Sequence, residues 1–324
     1  MQTILDFGIR LIVQLQGWGS WLSLPMNLFS FLGTEEFFVL LLPLIYWCVD
    51  SSVGIRMTVI LMLSTNINGA LKMALHGPRP YWYSSSVRGL ATETSFGIPS
   101  NHAQSAAVVW GILAAFLRKW WGWLAAVLLI FLIGFSRLYL GVHFPQDVVL
   151  GWIIGGLILW LMLRFWNPVT AWVKRQGAAR QILFAFLVSL VTFVMPLIPF
   201  VWLKVINWQP PQEWAAYATN AFSIQDFATS AGTLFGLLVG LVWLARHGGF
   251  KTNGRWWTLV LRYLLGVAGV LIIRYGLKFI FPEGENALSY FLRYLRYTLI
   301  GFWVSGVAPW VFIRLKLAEK PDGS

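Results

Sequence analysis

The sequence predicts an all-α protein, a polytopic membrane bundle of about nine transmembrane helices, and three observations lead to this class. Of the 324 residues, 58% are hydrophobic and 11% are charged, whereas soluble domains carry about 25% charged residues. The mean hydropathy is +0.69, and long apolar runs recur, as spans of ~20 residues require. Tryptophans stand near the ends of these runs, for example at Trp120, Trp121, Trp256 and Trp257, as they do in interfacial aromatic belts.

The length and apolarity of these runs predict nine spans. They lie near residues 37–50, 55–75, 103–117, 121–137, 147–166, 181–204, 227–246, 257–278 and 288–314. The chain is thereby divided into an N-terminal amphipathic segment predicted to lie in the membrane interface (1–36), a core that carries the polar motifs (37–170), and further spans with a basic tail (171–324).

Positive charge orients the predicted bundle. Basic residues concentrate in alternate loops and in the tail: Arg118 and Lys119; Lys174, Arg175 and Arg180; Arg246, Lys251 and Arg255; Arg314, Lys316 and Lys320. The positive-inside rule places this side and the C-terminus in the cytoplasm. The opposite loops then face outward, and the absence of an Asn-x-Ser/Thr acceptor favours a bacterial cytoplasmic (inner) membrane with these loops in the periplasm. Because the net charge of +12 is dispersed along the chain, no nucleic acid is expected as a partner.

Three polar segments fall on the outward side of this topology. The segments are KMALHGPRP with Lys72 and Arg79; IPSNH with Ser100, Asn101 and His102; and SRLYLGVHFPQD with Arg137, His143 and Asp147. Polar and ionisable groups near a bilayer are costly and therefore indicate a functional site. Each residue alone also has an ordinary interpretation, such as a snorkelling lysine or a helix cap. The order and spacing of all three segments on one membrane face favour a site.

The cationic and hydroxyl residues suit an anionic group with tetrahedral oxygens. Lys72, Arg79 and Arg137 supply positive charge and forked donors. Ser100 or Asn101 can cap the following helix, whose N-terminal amides then point at an anion. These residues predict a phosphate-binding cradle.

The remaining residues suit phosphoryl transfer. His102 and His143 can divide the work of nucleophile and general acid, and Asp147, four residues after His143, can hold the imidazole in one tautomer. The sequence contains no carboxylate cluster or histidine pair at ligand spacing, so no metal or other cofactor is predicted. The predicted chemistry is metal-independent phosphoryl transfer through a phosphohistidine.

The three motifs, in this order and at this spacing, resemble the signature of the type 2 phosphatidic acid phosphatase superfamily, which also includes vanadium haloperoxidases. The resemblance implies a phosphatase helical core with His143 as nucleophile, oriented by Asp147. It implies that His102 protonates the leaving alkoxide and later activates water. Lys72, Arg79, Ser100, the Asn101 amide and Arg137 would cradle the phosphoryl group. The sequence has Asn101 where the family usually has glycine.

Upstream of the first motif, FLGTEEFFVLLLPLIYWCVD resembles sphingosine 1-phosphate phosphatases. Glucose-6-phosphatases are related, and they share a nine-span plan. The leading functional hypothesis is therefore a phosphoric monoester hydrolase that acts on a lipid phosphate monoester or diphosphate, with that lipid and membrane lipids as its partners. The alternatives are a sugar-phosphate phosphatase of the same mechanism and a non-enzymatic lipid transporter or scramblase. The sequence makes no prediction about oligomeric state.

Four further basic residues break the positive-inside pattern: Arg274, Lys278, Arg293 and Arg296 lie toward the outward ends of the last two predicted spans. Each pair shares a helix face. They are interpreted either as partners of Glu283, Glu285 or Asp226, or as a second anionic subsite.

Overall fold

The computed structural model describes residues 2–282 and 284–321, and all regular structure in these ranges is helical. The helices are α1 (Gln2–Gln16), α2 (Ser23–Phe31), α3 (Glu35–Cys48), α4 (Ser51–Leu75), α5 (Pro80–Tyr83), α6 (Asn101–Leu117), α7 (Trp120–Tyr139), α8 (Pro145–Lys174), α9 (Ala178–Val205), α10 (Ala215–Ala218), α11 (Gln225–Arg246), α12 (Trp256–Ile280), α13 (Ala287–Phe302) and α14 (Ala308–Arg314). A π-helical turn, Trp303–Val307, joins α13 to α14. The all-α class is confirmed, and eight of the nine predicted spans each overlap one helix, whereas 288–314 covers α13, the π-helical turn and α14.

Six helical segments in the described ranges are long and apolar enough to cross a membrane: Ser51–Tyr83, α7, α8, α9, α11 and α12. The bent pair Ser20–Phe31 and Glu35–Cys48 raises the number to seven if it forms one broken span. The other predicted spans are shorter or interrupted; α6, for example, has 17 residues, which corresponds to about 25 Å of helix. A membrane chain with several candidate spans is therefore supported, whereas the predicted number of nine is not confirmed.

By its internal contacts the chain forms two compact units, each assembled from separate segments. The first comprises Met1–Phe38, Ile67–Leu163 and Met195–Ser223; the second comprises Val39–Asn66, Arg164–Val194 and Ile224–Ser324. All three polar motifs belong to the first unit. The division at residues 36 and 170 stays a prediction.

The first unit brings α8 unusually close to α6. A Cβ atom on Gly151 would lie 2.6 Å from the Ser100 carbonyl oxygen, and one on Gly155 would lie 2.6 Å from that of Gln104. Such glycines at a spacing of four allow helix backbones to approach in membrane proteins. The close approach sets the start of α8, which carries the third motif, beside the start of α6, which carries the second.

The N-terminal segment packs on this unit. The Gln16 side-chain amide at the end of α1 donates to the carbonyl oxygens of Arg88 (2.8 Å) and Tyr139 (3.0 Å). Gly8 leaves room for the ring of Phe144, which belongs to the third motif. The described part of the segment, from residue 2, thus supports the turn that carries His143, while its predicted interfacial location stays a prediction.

In the second unit, α11 packs closely against the α13–α14 segment. Gly232 and Gly236 of α11 face the backbone of Tyr294 and Thr298, leaving no space for a side chain. The hydroxyl of Ser305 in the π-helical turn donates to the Leu237 carbonyl oxygen at 2.8 Å. The backbones of α11 and of the α13–α14 segment are therefore in close contact.

Candidate active site

The first motif places two cations at a break in the chain. Lys72 lies in the last turn of α4, after which Gly77 and Pro78 end the helical run. Arg79 is extended, with φ −94° and ψ 157°, and precedes Pro80, the first residue of α5. Both cationic side chains are buried. The break therefore turns Arg79 back toward Lys72 within the protein.

Lys72 and Arg79 share the same neutral partners. The Lys72 Nζ donates to Ser95 Oγ at 2.9 Å and to the Phe96 carbonyl oxygen at 2.6 Å. Arg79 donates from Nε to the Ser95 carbonyl oxygen at 2.7 Å and from Nη2 to Ser95 Oγ at 3.1 Å. Its Nη1 donates to the Val142 carbonyl oxygen at 3.0 Å. The two cations are thus held side by side by loop oxygens.

The second motif begins α6. Ser100 is the N-cap residue, and its Oγ accepts from the backbone amide of Ala103 at 3.5 Å. The Asn101 Oδ1 accepts from Ser105 Oγ at 3.3 Å, so the side chain is engaged along its own helix. This arrangement is compatible with the expected role of Asn101, which uses the backbone amide alone. His102 lies in the first turn of α6 and packs close to Gly33. A Cβ atom at Gly33 would lie 3.1 Å from the His102 Cδ2 atom.

The third motif is a tight turn between α7 and α8. Gly141 has a φ of +73°, a conformation that glycine adopts without strain, and a Cβ there would lie 2.4 Å from the Arg88 carbonyl oxygen. The Asp147 Oδ2 accepts from the Phe144 backbone amide at 2.9 Å and so closes the first turn of α8. The Ser100 amide donates to the Asp147 carbonyl oxygen at 3.0 Å, which ties the second motif to the third.

His143 is buried, and its two ring nitrogens face different partners. Nδ1 lies 3.4 Å from Asp147 Oδ2, and Nε2 lies 3.2 Å from Arg79 Nη1. A proton on Nδ1 therefore leaves the Nε2 lone pair directed toward the cations. Burial is the main cause that lowers the pKa of His143, followed by the charges of Arg79 and Lys72. The ring is thus kept neutral, the form in which a histidine acts as a nucleophile.

Arg137 completes the cluster from the end of α7. Its Nη1 donates to Ser30 Oγ and its Nη2 to Glu93 Oε1. The buried Nε has no hydrogen-bond partner among the described residues. It is therefore a free donor beside the other cations.

Two residues of this cluster, Glu93 and Ser95, are absent from the sequence prediction. The Glu93 carboxylate contacts Arg137, and its Oε2 lies 3.5 Å from Arg79 Nη2. Burial by itself raises the pKa of Glu93, but the charges of Arg79 and Arg137 outweigh it and lower the pKa to about 2. Glu93 is the one acidic residue between Arg79 and His102 in the sequence. A single carboxylate between the first two motifs could have been recognised from the sequence as a candidate counter-ion for their basic residues.

Replacing Glu93 by glutamine is expected to lower the stability of the protein by about 2 kcal/mol at neutral pH, because two buried arginines lose their counter-ion. Since the pKa of Glu93 is lowered from 4.5 to about 2, its contribution is present above pH ~4.5 and is lost as the pH falls toward 2. Thermal unfolding in detergent at pH 7 and pH 2.5 measures this difference. Glu213→Gln, in an exposed loop, is the control. Equal stability of wild type and Glu93→Gln at pH 7 would contradict the assignment.

Of the four residues predicted as a second anionic subsite, two line a common recess. Arg293 and Arg296 line a common recess in the second unit. Arg274 and Lys278 lie exposed on α12, outside its lining, and the Arg274 guanidinium stacks over Tyr275. The described residues also contain no group of three or more His, Cys, Asp or Glu side chains arranged to hold a metal ion.

Family models match both parts of the chain. The model described as "PAP2 superfamily" matches residues 54–171, and the one described as "PAP2 superfamily phosphatase, transmembrane extension" matches residues 228–320. Phosphatidylglycerophosphatase B of Bacillus subtilis is 30% identical over 158 residues, which cover 45% of this chain and 75% of that protein. The chain belongs to the PAP2 superfamily. The resemblance of the three motifs is confirmed, and the predicted enzyme class, a phosphoric monoester hydrolase, is consistent with this membership.

Other relatives differ in substrate and in coverage. A probable sphingosine-1-phosphate phosphatase of Dictyostelium discoideum is 32% identical over 45% of this chain, which spans 39% of that protein. Glucose-6-phosphatase catalytic subunit 1 of Canis lupus familiaris is 27% identical over 74% of this chain and 76% of its own length. The crystal structure of a transmembrane PAP2-type phosphatidylglycerolphosphate phosphatase from Bacillus subtilis, 26% identical, has a TM-score of 0.46 and covers 52% of this chain and 87% of that one.

Proposed function

We propose that this PAP2 protein hydrolyses a lipid phosphate monoester or diphosphate at the non-cytoplasmic face of a bacterial inner membrane, through a phosphohistidine on His143. The observation that carries the proposal is the arrangement of that ring. Asp147 faces Nδ1, and Nε2 points to the cation cluster at Arg79. This is the geometry of an imidazole whose tautomer is held for nucleophilic attack.

In the first step, Nε2 of His143 attacks phosphorus as the P–O bond to the leaving group breaks, and His102, which begins this step protonated, donates its proton to the leaving oxygen (an alkoxide from a monoester, a phosphate oxygen from a diphosphate). In the second step, His102 takes a proton from water, the water oxygen attacks phosphorus, and the N–P bond breaks to restore neutral His143. Lys72, Arg79 and Arg137 balance the charge that spreads over the phosphoryl oxygens in both steps. Fixed donors of this kind are the largest contribution to many phosphoryl transfers.

The surroundings of the cations favour an amphiphilic substrate. Phe96, whose carbonyl oxygen accepts from Lys72, packs edge-on against Phe222 and Trp208. The Trp82 ring stacks on Tyr217 with centroids 6.0 Å apart. An aromatic wall beside a phosphate cradle suits a lipid whose chains stay apolar while the headgroup reaches the cations. The nine-span topology, with the motif loops outward and the C-terminus cytoplasmic, is part of the same proposal.

A sugar phosphate is the second candidate substrate. The match to the canine glucose-6-phosphatase subunit covers 74% of the chain, more than either lipid phosphatase match described above. The mechanism is unchanged in this alternative, because the cradle contacts only the phosphoryl group. Substrate class is therefore the point that an assay must decide.

Phosphate release by purified protein in detergent tests the proposal. The substrates are phosphatidic acid, sphingosine 1-phosphate, phosphatidylglycerophosphate, undecaprenyl diphosphate and glucose 6-phosphate. We expect release from the lipid substrates at a kcat/KM above that for glucose 6-phosphate, lost in His143→Ala and retained in His247→Ala. A preference for glucose 6-phosphate would establish the sugar-phosphate alternative. No release from any substrate would contradict the enzymatic proposal and favour a lipid transporter or scramblase.

A further inference from the structure

A polar recess lies in the second unit, where the loop after α12 meets the start of α13. Its lining includes Gln225, Phe281, Ser289, Tyr290, Arg293 and Arg296. We refer to it as the α12–α13 recess. It is half-open, and so can receive one end of a ligand while the remainder stays outside.

Arg296 lines this recess, and no described residue provides it with a counter-ion. The side chain is 5% exposed, and its Nε has no hydrogen-bond partner in the part of the chain that the structure describes. Within residues 2–282 and 284–321, neither Arg293 nor Arg296 forms an ion pair. The guanidinium of Arg296 lies over the Tyr297 ring, 5.4 Å from its centroid. A buried cation is costly unless it is compensated, so the position of Arg296 indicates an anionic partner.

A second donor in the recess is also unengaged. Ser289 is 5% exposed, and its Oγ has no hydrogen-bond partner among the described residues. Its backbone amide donates to the Asn286 cap at 3.0 Å, so Ser289 stands in the first turn of the 16-residue helix α13. A helix start carries partial positive charge. Two independent buried donors and a helix N-terminus thus meet in one place.

The nearby carboxylate does not neutralise the arginines. Glu285 accepts from Gln225 Nε2 at 2.7 Å through Oε1 and from the Tyr290 hydroxyl through Oε2. The Gln225 Oε1 in turn accepts from Arg293 Nη1. Glu285 is therefore linked to Arg293 through a neutral amide rather than by direct contact. Asp226 forms no ion pair with either arginine, and Glu283 lies outside the described residues.

We propose that the α12–α13 recess binds a phosphate-type oxyanion through Arg293, the Arg296 guanidinium and the Ser289 hydroxyl. The group is either the headgroup phosphate of a membrane lipid or a free phosphate. Arginine forks match such oxygens, and basic recesses at the ends of membrane helices bind anionic headgroups. The site belongs to the second unit and does not depend on the chemistry proposed for His143. Of the four basic residues that the sequence suggested for a second anionic subsite, this proposal includes two, Arg293 and Arg296.

The first arm of the test counts bound inorganic phosphate by equilibrium binding of the labelled ion to the full chain in detergent. We expect Arg296→Met to bind one phosphate fewer per chain than wild type, whether or not the catalytic cradle also binds it. Arg296→Met is expected to fold, because it replaces an unpartnered buried charge by an apolar side chain of similar length. Arg293→Gln is the second variant, and Arg274→Gln, an exposed arginine outside the recess, is the matched control.

The second arm counts bound lipid by native mass spectrometry after exchange into nanodiscs of phosphatidylcholine with or without phosphatidylglycerol. Loss of one bound phosphatidylglycerol in Arg296→Met and Arg293→Gln, with no change in free phosphate, assigns the recess to a headgroup. Loss in the phosphate arm alone assigns it to free phosphate. If folded Arg296→Met and Arg293→Gln match wild type and Arg274→Gln in both arms, the proposal is overturned. In each folded variant, turnover of p-nitrophenyl phosphate reports the catalytic site separately.

Discussion

His143→Ala is expected to lower kcat by about 10⁴-fold or more, the largest effect of any single replacement in the chain. The variant loses the nitrogen that accepts the phosphoryl group, and no described side chain replaces it between Arg79 and Asp147. The cation cluster remains, so KM is expected to change far less than kcat. Steady-state phosphate release on the best lipid substrate measures both constants.

His247→Ala is the control for this replacement. His247 follows α11 in the second unit, and its ring packs on Trp243 with centroids 4.1 Å apart. Its loss is expected to leave kcat within a factor of about two. A His143→Ala protein that folds and retains more than a tenth of wild-type kcat would contradict a nucleophilic role for His143.

His102→Ala is expected to cause the second largest loss of turnover. The size of this loss is expected to depend on the leaving group of the substrate. General acid–base catalysis contributes about 10²–10⁴-fold, so turnover of an alkyl phosphate lipid is expected to fall by about 10³-fold. With p-nitrophenyl phosphate the leaving group departs without a proton. The first step then survives, and water attack on the phosphoenzyme becomes slow. The measurement compares the rate of leaving-group release in the first turnover of wild type and variant for both substrates.

An equal loss of the first-turnover rate for the alkyl and aryl substrates would argue against His102 as the acid. It would instead assign His102 to binding or to support of the fold. Thermal unfolding of the variant separates these two outcomes, since a support role would lower Tm whereas an acid–base role would leave it near that of wild type.

The residues of the candidate site could be proposed from the sequence because they lie in three short motifs. Polar residues at membrane depth are rare and costly, so Lys72, Arg79 and His143 were visible against an apolar background. The helices were equally visible, since apolar runs of fixed length must be helical in a bilayer. The number of helices that cross the membrane could not be predicted in the same way, because α6 is short and the segment from α13 to α14 is interrupted.

The parts that the sequence missed depend on how loops return to the site. Glu93 and Ser95 lie outside every motif, and their role follows from the path of the chain between Arg79 and Ser100. Likewise, spacing could not separate Arg296 from Arg274, since each lies on a helix end with a basic neighbour. The two residues differ in burial, since Arg296 is buried whereas Arg274 is exposed. This difference depends on how the helices pack, which the sequence does not show.

Trapping the phosphoenzyme tests the central claim most directly. His102→Ala would be mixed with p-nitrophenyl phosphate, p-nitrophenolate would be followed in the first turnover, and the protein would be quenched in alkali for peptide mass spectrometry. The mechanism predicts a burst of about one p-nitrophenolate per active site and a phosphoryl group on the peptide that contains His143. A burst with the phosphoryl group on another residue, or turnover with no burst at an unchanged rate, would contradict it.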